Sequence, residues 1–253
     1  MEIIEAKRVS QRFTAAAQTY DQHAAAQQQI CAHLLAMLKQ THPLCFQRVL
    51  EIGCGSGGFT RLLQAEGAIG EWCLNDLCES WSSELTKWMV GERWQWLGGD
   101  AERLAFPGSF DLIASANALQ WMKELPDFLR RLSTSLAPQG VLLFNLFTPD
   151  NLREVKAITG QGLSYPLPAE VQAWLAKDYR LLRMEEERIV LTFSDPMEVL
   201  RHLKYTGVTA NATGVWTKGK QAHFCEAYRG RFATAEGKVT LTYVPLYLLA
   251  RKR

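Results

Sequence analysis

One stretch constrains this chain more than any other: Arg48-Val49-Leu50-Glu51-Ile52-Gly53-Cys54-Gly55-Ser56-Gly57-Gly58-Phe59-Thr60-Arg61-Leu62-Leu63. A short apolar run carrying one acid gives way to glycines at every second position, and an amphipathic run follows. That order predicts a buried strand, a tight turn and the start of a helix. Glycine suits such a turn because a ligand there comes within contact distance of the backbone, where a Cβ would block it. The stretch is built to hold a cofactor.

The flanking pattern says what surrounds the turn. Residues 5–40 are rich in Ala, Gln and Leu and contain no Pro or Gly. They predict two helices meeting near Thr19-Tyr20-Asp21, with Asp21 capping the second and Ile30, Leu34, Leu35 and Leu38 as its apolar stripe. His42-Pro43 ends that helix. After the turn, a helix from Phe59 to about Ala65 closes at Glu66-Gly67, and a strand Gly70–Leu77 contains Asn75-Asp76. A Trp-rich helix (Ser80–Val90), a short strand (Trp94–Leu97) and the turn Gly99-Asp100-Ala101-Glu102 come next. Phe110–Ser115 reads as a strand running into Ala116-Asn117-Ala118-Leu119-Gln120-Trp121. Leu125–Leu136 reads as a helix with Pro126 in its first turn, Ala137–Gly140 as its stop, and Val141–Phe147 as a fifth strand. Strands and helices alternate, which predicts a parallel sheet with helices on both faces.

Beyond Thr148 the rhythm breaks. Helices are predicted at Asn151–Ala157, Pro168–Ala176, Asp195–Tyr205 and Gln221–Phe232. Arg188–Phe193 reads as a strand, Thr206–Lys218 as a polar loop, and Val239–Ala250 as a closing apolar strand before a basic tail.

Bulk properties exclude several functions. A formal net charge of +2 across 253 residues is too small for a strongly basic nucleic-acid binder. The six cysteines contain no C-x-x-C pair and no ligand-like grouping with the five histidines, so reduced thiols and no metal site are expected. The first 30 residues carry no long apolar core, and no run approaches the ~18 apolar residues of a membrane span. A soluble, cytoplasmic protein is the expectation.

Taken literally, Gly53, Gly55 and Gly58 fit the dinucleotide fingerprint, with Asp76 about 20 residues on as the ribose acid. Other features pull away from a dinucleotide. Glu51 stands two residues before the first glycine, and Gly57 completes a G-x-G-x-G series. A second acid loop, Asp100-Ala101-Glu102, follows the third strand, where an adenine amine can donate to a carboxylate. The fourth strand ends without a Tyr-x-x-x-Lys or His/Asp pair for hydride chemistry.

From Arg48 to Phe147 these features together resemble the class I S-adenosylmethionine-dependent methyltransferases. The resemblance implies a Rossmann-like α/β three-layer sandwich around a mostly parallel sheet of about seven strands, the last antiparallel, with a helical cap. A single domain over 1–253 is expected: a core of 45–148 plus strands at about 180–193 and 239–250, and a cap from 1–42 and about 150–232. By the same resemblance the glycine turn holds the methionine portion, Asp76 takes the ribose hydroxyls, and Asp100 meets the adenine amine beside Ala101. The implied cofactor set is Tyr20, Glu51, Gly53, Gly55, Gly57, Asp76, Leu77, Asp100, Ala101, Glu102, Ala116 and Leu119.

The flanks narrow the likeness. Arg12-Phe13-x-x-Ala16-Ala17-x-x-Tyr20-Asp21-x-x-Ala24-x-x-Gln27, the run Ala118-Leu119-Gln120-Trp121, Ser109-Phe110-Asp111-Leu112-Ile113, Leu203-Lys204-x-x-Gly207 and Leu241-Thr242-Tyr243 occur together. This combination is similar to the malonyl-[acyl-carrier protein] O-methyltransferase family of biotin synthesis. One position departs: Ala116 stands where that family usually has Asn, and Asn117 is the candidate to supply its contact.

The resemblance implies methylation of the free carboxyl of a malonyl thioester on acyl carrier protein or coenzyme A, leaving S-adenosylhomocysteine. No general base is expected, because a carboxyl with a pKa near ~4 is already ionised at neutral pH. Positioning then falls to walls such as Tyr20, Leu119, Gln120 and Trp121. A carboxylate entering a pocket needs a positive partner, for which His202 and Lys204, with Arg12 behind them, are the candidates. The carrier partner is a small acidic protein, so a basic face built from Arg201, Lys204, Lys218 and Lys220 is expected to dock it. A monomer acting on neither nucleic acid nor membrane is expected. The alternatives are a methyltransferase of another small acid, of the trans-aconitate type, and a non-catalytic S-adenosylmethionine-binding regulator.

Overall fold

The computed structural model describes Gln11, Thr14 and residues 20–206 and 217–253. Arg12, Phe13, Ala16 and Ala17 of the N-terminal run, Gly207 and most of the expected polar loop lie outside the described residues. The chain divides into two compact units, one of Gln27–Leu146, Leu167–Glu186 and Leu246–Arg253, the other of Met1–Ala26, Phe147–Pro166 and Glu187–Pro245.

The first unit is organised by a seven-stranded sheet in the order β3-β2-β1-β4-β5-β9-β6. Its strands are β1 (Cys45–Ile52), β2 (Ala68–Asp76), β3 (Trp94–Gly98), β4 (Phe110–Ser115), β5 (Leu136–Phe147), β6 (Tyr179–Glu186) and β9 (Pro245–Lys252). β1 pairs in parallel with β2 and β4, β2 with β3, and β4 with β5, whereas β6 and β9 are antiparallel. Strand side chains alternate between faces. Leu50, Ile52, Ile113, Leu142 and Phe144 share one buried cluster with Phe128, Leu129 and Leu132 of helix Leu125–Ser135 and with Val171 and Leu175 of helix Pro168–Leu175. Each of these buried leucines contributes about 2 kcal/mol. On the alternate face His33, from helix Ala25–Lys39, stacks on Tyr247 of β9 at 3.9 Å, and Ile30, Leu34 and Leu38 of that helix are fully buried. Helices cover both faces, as the alternation predicts.

The second unit holds helices Arg153–Thr159, Pro196–Tyr205 and Lys218–Phe232 and a two-stranded antiparallel sheet of β7 (Ile189–Phe193) and β8 (Val239–Tyr243). Asp195 caps the middle helix by accepting the Met197 and Glu198 amides. Thr217 caps the last, which starts three residues earlier than the expected Gln221.

The structure revises several boundaries. The expected strands at 180–193 and 239–250 each split in two, β6 from β7 and β8 from β9, and the inner halves pair with each other in the second unit. Pro245, which has no N–H, marks one change of partner; just before it Val244 N–H donates to Asn151 Oδ1. Residues 27–42 and 167–175, expected in a cap, belong to the sheet unit. β5 begins at Leu136 and takes in the expected stop, because a register shift between Phe110 and Leu112 absorbs Ala137–Gly140, with Gln139 at φ 66°. Asp21 lies inside a short helix, Tyr20–His23, so the break before the next helix falls at Ala24 rather than at a cap by Asp21. The Trp-rich helix stops at Thr86. No described helix is long and apolar enough to cross a membrane.

Candidate active site

The glycine turn sits at the C-terminal end of β1, held against its neighbours by the backbone. Gly53 and Cys54 N–H groups both donate to Asn75 O, at 2.8 and 3.0 Å. Gly53 has φ +69°, and a Cβ there would lie 2.2 Å from Ala118 Cβ in the segment after β4. Only glycine brings those two segments this close. At Gly55 the opposite holds: nothing stands within 4 Å of a built Cβ, so its backbone borders open space that a side chain would fill. The Gly55 N–H donates to Asp76 Oδ2 at 2.9 Å.

Two carboxyl groups converge on this turn. Glu51 is 1% exposed, accepts Thr60 Oγ1 at 2.6 Å, and is pushed up to about 8 by burial, with the charge of Asp76 adding to the rise. Asp76 is also raised by burial, against the pull of backbone amides at Cys78, Gly55 and Leu77. The same negative field helps to raise the buried thiols of Cys54 and Cys31. Among the described residues, no Lys or Arg acts on either acid. Such an acid pair, with no described cation beside it, disfavours a pyrophosphate and, once ionised, favours a cation bearing hydroxyl donors. Together with the open cradle at Gly55, the site fits S-adenosylmethionine and does not fit a dinucleotide.

β2 and β3 end side by side. Asn75 Nδ2 donates to Leu97 O at 2.7 Å and to Gly99 O at 3.0 Å, tying the second acid loop to the first. Asp100 is half-buried there, with Oδ1 accepting the Glu102 N–H at 3.0 Å, and Ala101 is buried. Glu102 requires a correction. Its carboxylate accepts the amides of Lys123 and Glu124, at 3.0 and 2.7 Å, and so fixes the start of helix Leu125–Ser135 instead of facing a cofactor.

The segment after β4 is held by amides that sequence reasoning passed over. Ala116 is half-buried. Asn117 adopts φ 59°, its N–H donating to Oδ1 of the fully buried Asn145 at 2.8 Å. Its Nδ2 reaches Gln27 O at 3.5 Å, and its carbonyl accepts Gln120 Nε2 at 2.7 Å. Asn117 therefore spends its side chain holding the segment, and does not replace the Asn that Ala116 lacks. Leu119 is buried in the short 3-10 turn Leu119–Trp121, with Gln120 and Trp121 half-buried beside it. Asn75, Asn145 and Gln27 were findable only as polar residues within or next to apolar runs.

The remaining candidates are Tyr20, His202 and Lys204 of the second unit and Leu77 of the first. Tyr20 is half-buried in helix Tyr20–His23, and Leu77 is half-buried in the first unit beside Asp76. His202 cannot be the cationic partner of a carboxylate: it is buried, its Nε2 lies 2.8 Å from Tyr243 Oη, and burial lowers it to about 4, so it is neutral at pH 7. Lys204, two residues on, is exposed.

The comparisons with known proteins agree with this geometry. Residues 50–144 match the family model described as "Methyltransferase domain". An S-adenosylmethionine-dependent methyltransferase structure from Mesorhizobium loti superposes with a TM-score of 0.55 at 17% identity, over 87% of this chain and 96% of that one. The fold and the turn define a class I S-adenosylmethionine-dependent methyltransferase, with S-adenosylmethionine as its cofactor. A malonyl-[acyl-carrier protein] O-methyltransferase of Porphyromonas gingivalis is 42% identical over 98% of this chain and 96% of its own length. The Haemophilus influenzae protein of the same name is 41% identical over 98% and 95%. The chain belongs to the malonyl-[acyl-carrier protein] O-methyltransferase family.

Proposed function

We infer that this chain methylates the free carboxyl of malonyl-[acyl-carrier protein], giving the methyl ester that primes the pimeloyl chain of biotin. One observation carries the reading: the likeness to relatives of that name runs nearly end to end, well beyond the 95 residues of the methyltransferase domain. When bound, S-adenosylmethionine supplies an activated methyl group together with its own leaving group. Gly53, Gly55, Gly57, Glu51, Asp76 and Leu77 would hold it, with Asp100 and Ala101 at the second loop and Ala116 and Leu119 lining the rest.

The chain's part in the chemistry is placement. The acceptor carboxyl is ionised at neutral pH, so no side chain has to remove a proton. Gln120 and Trp121 orient the reactants and exclude water, and in-line placement of this kind lowers a barrier by several kcal/mol. With His202 neutral, Lys204 is the described cation left to draw in the malonyl carboxylate. A single, offset contact suits the task better than a bidentate pair, which would blunt the nucleophile. The enzyme acts as a monomer in the cytoplasm on a carrier protein docked through Arg201, Lys204, Lys218 and Lys220.

Transfer of labelled methyl into a malonyl thioester, compared with transfer into a free dicarboxylate such as trans-aconitate, tests the substrate. The reading predicts label in a base-labile ester of the thioester alone. Label in the free acid alone would assign the other substrate, and cofactor binding without any transfer would make the chain a regulator.

A further inference from the structure

The second acid loop is gripped by a residue outside every motif read from the sequence. Arg131, on helix Leu125–Ser135, donates through Nη2 to Ala101 O at 2.6 Å and through Nη1 to Glu102 O. Its guanidinium carbon lies 5.2 Å from the centre of the Phe128 ring, one turn earlier, which steadies the side chain along the helix. A planar fork serves two neighbouring carbonyls at once, as the point charge of a lysine does not. Glu102 returns the grip by accepting the Lys123 and Glu124 amides, so loop and helix are fastened in both directions.

Hydrogen bonds within the loop carry this hold to Asp100. The 101–102 peptide is fixed at both ends: Arg131 donates to its oxygen, and its N–H donates to Asp100 Oδ1 at 3.0 Å. A cation at the oxygen of a peptide strengthens the donor on its nitrogen. The other oxygens are matched as well. Gly99 O accepts Asn75 Nδ2, and Asp100 O accepts the Arg103 and Leu104 N–H groups at 2.9 and 3.1 Å. Each carbonyl from Gly99 to Glu102 thus has its donor, which leaves the Asp100 carboxylate as the loop's acceptor for a ligand. Its Oδ2 lies 3.5 Å from Arg103 Nε, on a side chain 83% exposed that water readily draws away.

We propose that Arg131 is a positioning residue for the adenine end of the cofactor: through the 101–102 peptide it sets the Asp100 carboxylate to accept the adenine amine. This rests on the cofactor reading above. The amine is what makes the arrangement selective. A 6-oxo base has a carbonyl oxygen in its place, which meets the carboxylate with no hydrogen to share.

Calorimetric titration of the full chain tests this with S-adenosylhomocysteine and its 6-oxo counterpart S-inosylhomocysteine, on wild type, Arg131→Met and Arg131→Lys. Wild type is expected to favour the amine ligand about tenfold or more. Arg131→Met is expected to lose about tenfold in affinity for S-adenosylhomocysteine and less than about threefold for S-inosylhomocysteine, so that the preference shrinks. Arg131→Lys, with one point charge for two carbonyls, gives up about threefold of the preference. Equal losses on both ligands in Arg131→Met would overturn the proposal, because a residue that only supports the fold moves both together. An unchanged affinity for S-adenosylhomocysteine would overturn it too. Should Arg131→Met fail to fold, an unaltered preference in Arg131→Lys overturns it instead. A wild-type chain that binds both ligands equally would remove the adenine role of Asp100 and the proposal with it, and one that binds neither would remove the cofactor reading itself.

Discussion

Among the described residues Glu51 has no ion-pair partner to hold it ionised, so its proton couples to both stability and binding. An acid that folding pushes from 4.5 up to about 8 holds its proton more tightly when folded. The stability this contributes is complete below the unfolded value and is lost as pH rises toward 8. The unliganded chain should therefore melt at a lower temperature at pH 8.5 than at pH 6, and Glu51→Gln should flatten that slope. Cofactor binding has the opposite sign. A cation favours the ionised acid, so affinity for S-adenosylmethionine should climb up to tenfold per pH unit below 8 and level off above it. Calorimetry across that range checks this, and a profile unchanged in Glu51→Gln would contradict it. His202 illustrates what residue type alone does not reveal. A histidine on a polar-looking helix reads as a cation, but the Tyr243 hydroxyl and the Phe193 ring, 5.2 Å away, surround it in the fold. Its lowered pKa means that stability falls as pH drops from 6.5 toward 4. His202→Leu should remove the 2.8 Å contact with the Tyr243 hydroxyl and cost about 1–3 kcal/mol in denaturant titration.

The glycine turn is the element the sequence displays most openly, because close approach of backbone leaves few residues but glycine. The turn's three-dimensional use is less open, since Gly53 and Gly55 look alike in one dimension. Gly53 faces Ala118 and Gly55 faces open space, a difference that exists only once β1 and β4 are paired. Gly53→Ala should destabilise the fold by about 2–4 kcal/mol through overpacking and a positive φ. Gly55→Ala, free of any clash but with its own positive φ of +52°, should cost only about 1–2 kcal/mol and instead chiefly weaken cofactor binding. If both act on stability alone, the cradle is misassigned. Elements with a strong period were legible: strand, helix and their alternation up to Phe147 follow from spacing. The split of Val239–Ala250 was not, because β8 and β9 are one continuous apolar run whose partners change at Pro245. Glu102 misled for a related reason, as an acid after a strand serves a ligand and a helix start equally well until the chain folds.

For the molecule as a whole, charge supplies the account of the carrier partner. Arg201 and Lys204 are exposed on helix Pro196–Tyr205, and Lys218 is exposed at the start of helix Lys218–Phe232. Reversing Arg201 and Lys218 to Glu should raise the apparent KM for malonyl-acyl carrier protein about fivefold or more, with added salt doing likewise, and leave malonyl-CoA unaffected. Equal loss on both substrates would mean the residues serve the pocket instead of docking. The most direct measurement is the mass of malonyl-acyl carrier protein after incubation with this chain and S-adenosylmethionine. The account predicts a gain of one methyl group that mild base removes; an unchanged mass, from a chain shown to bind the cofactor, would contradict it.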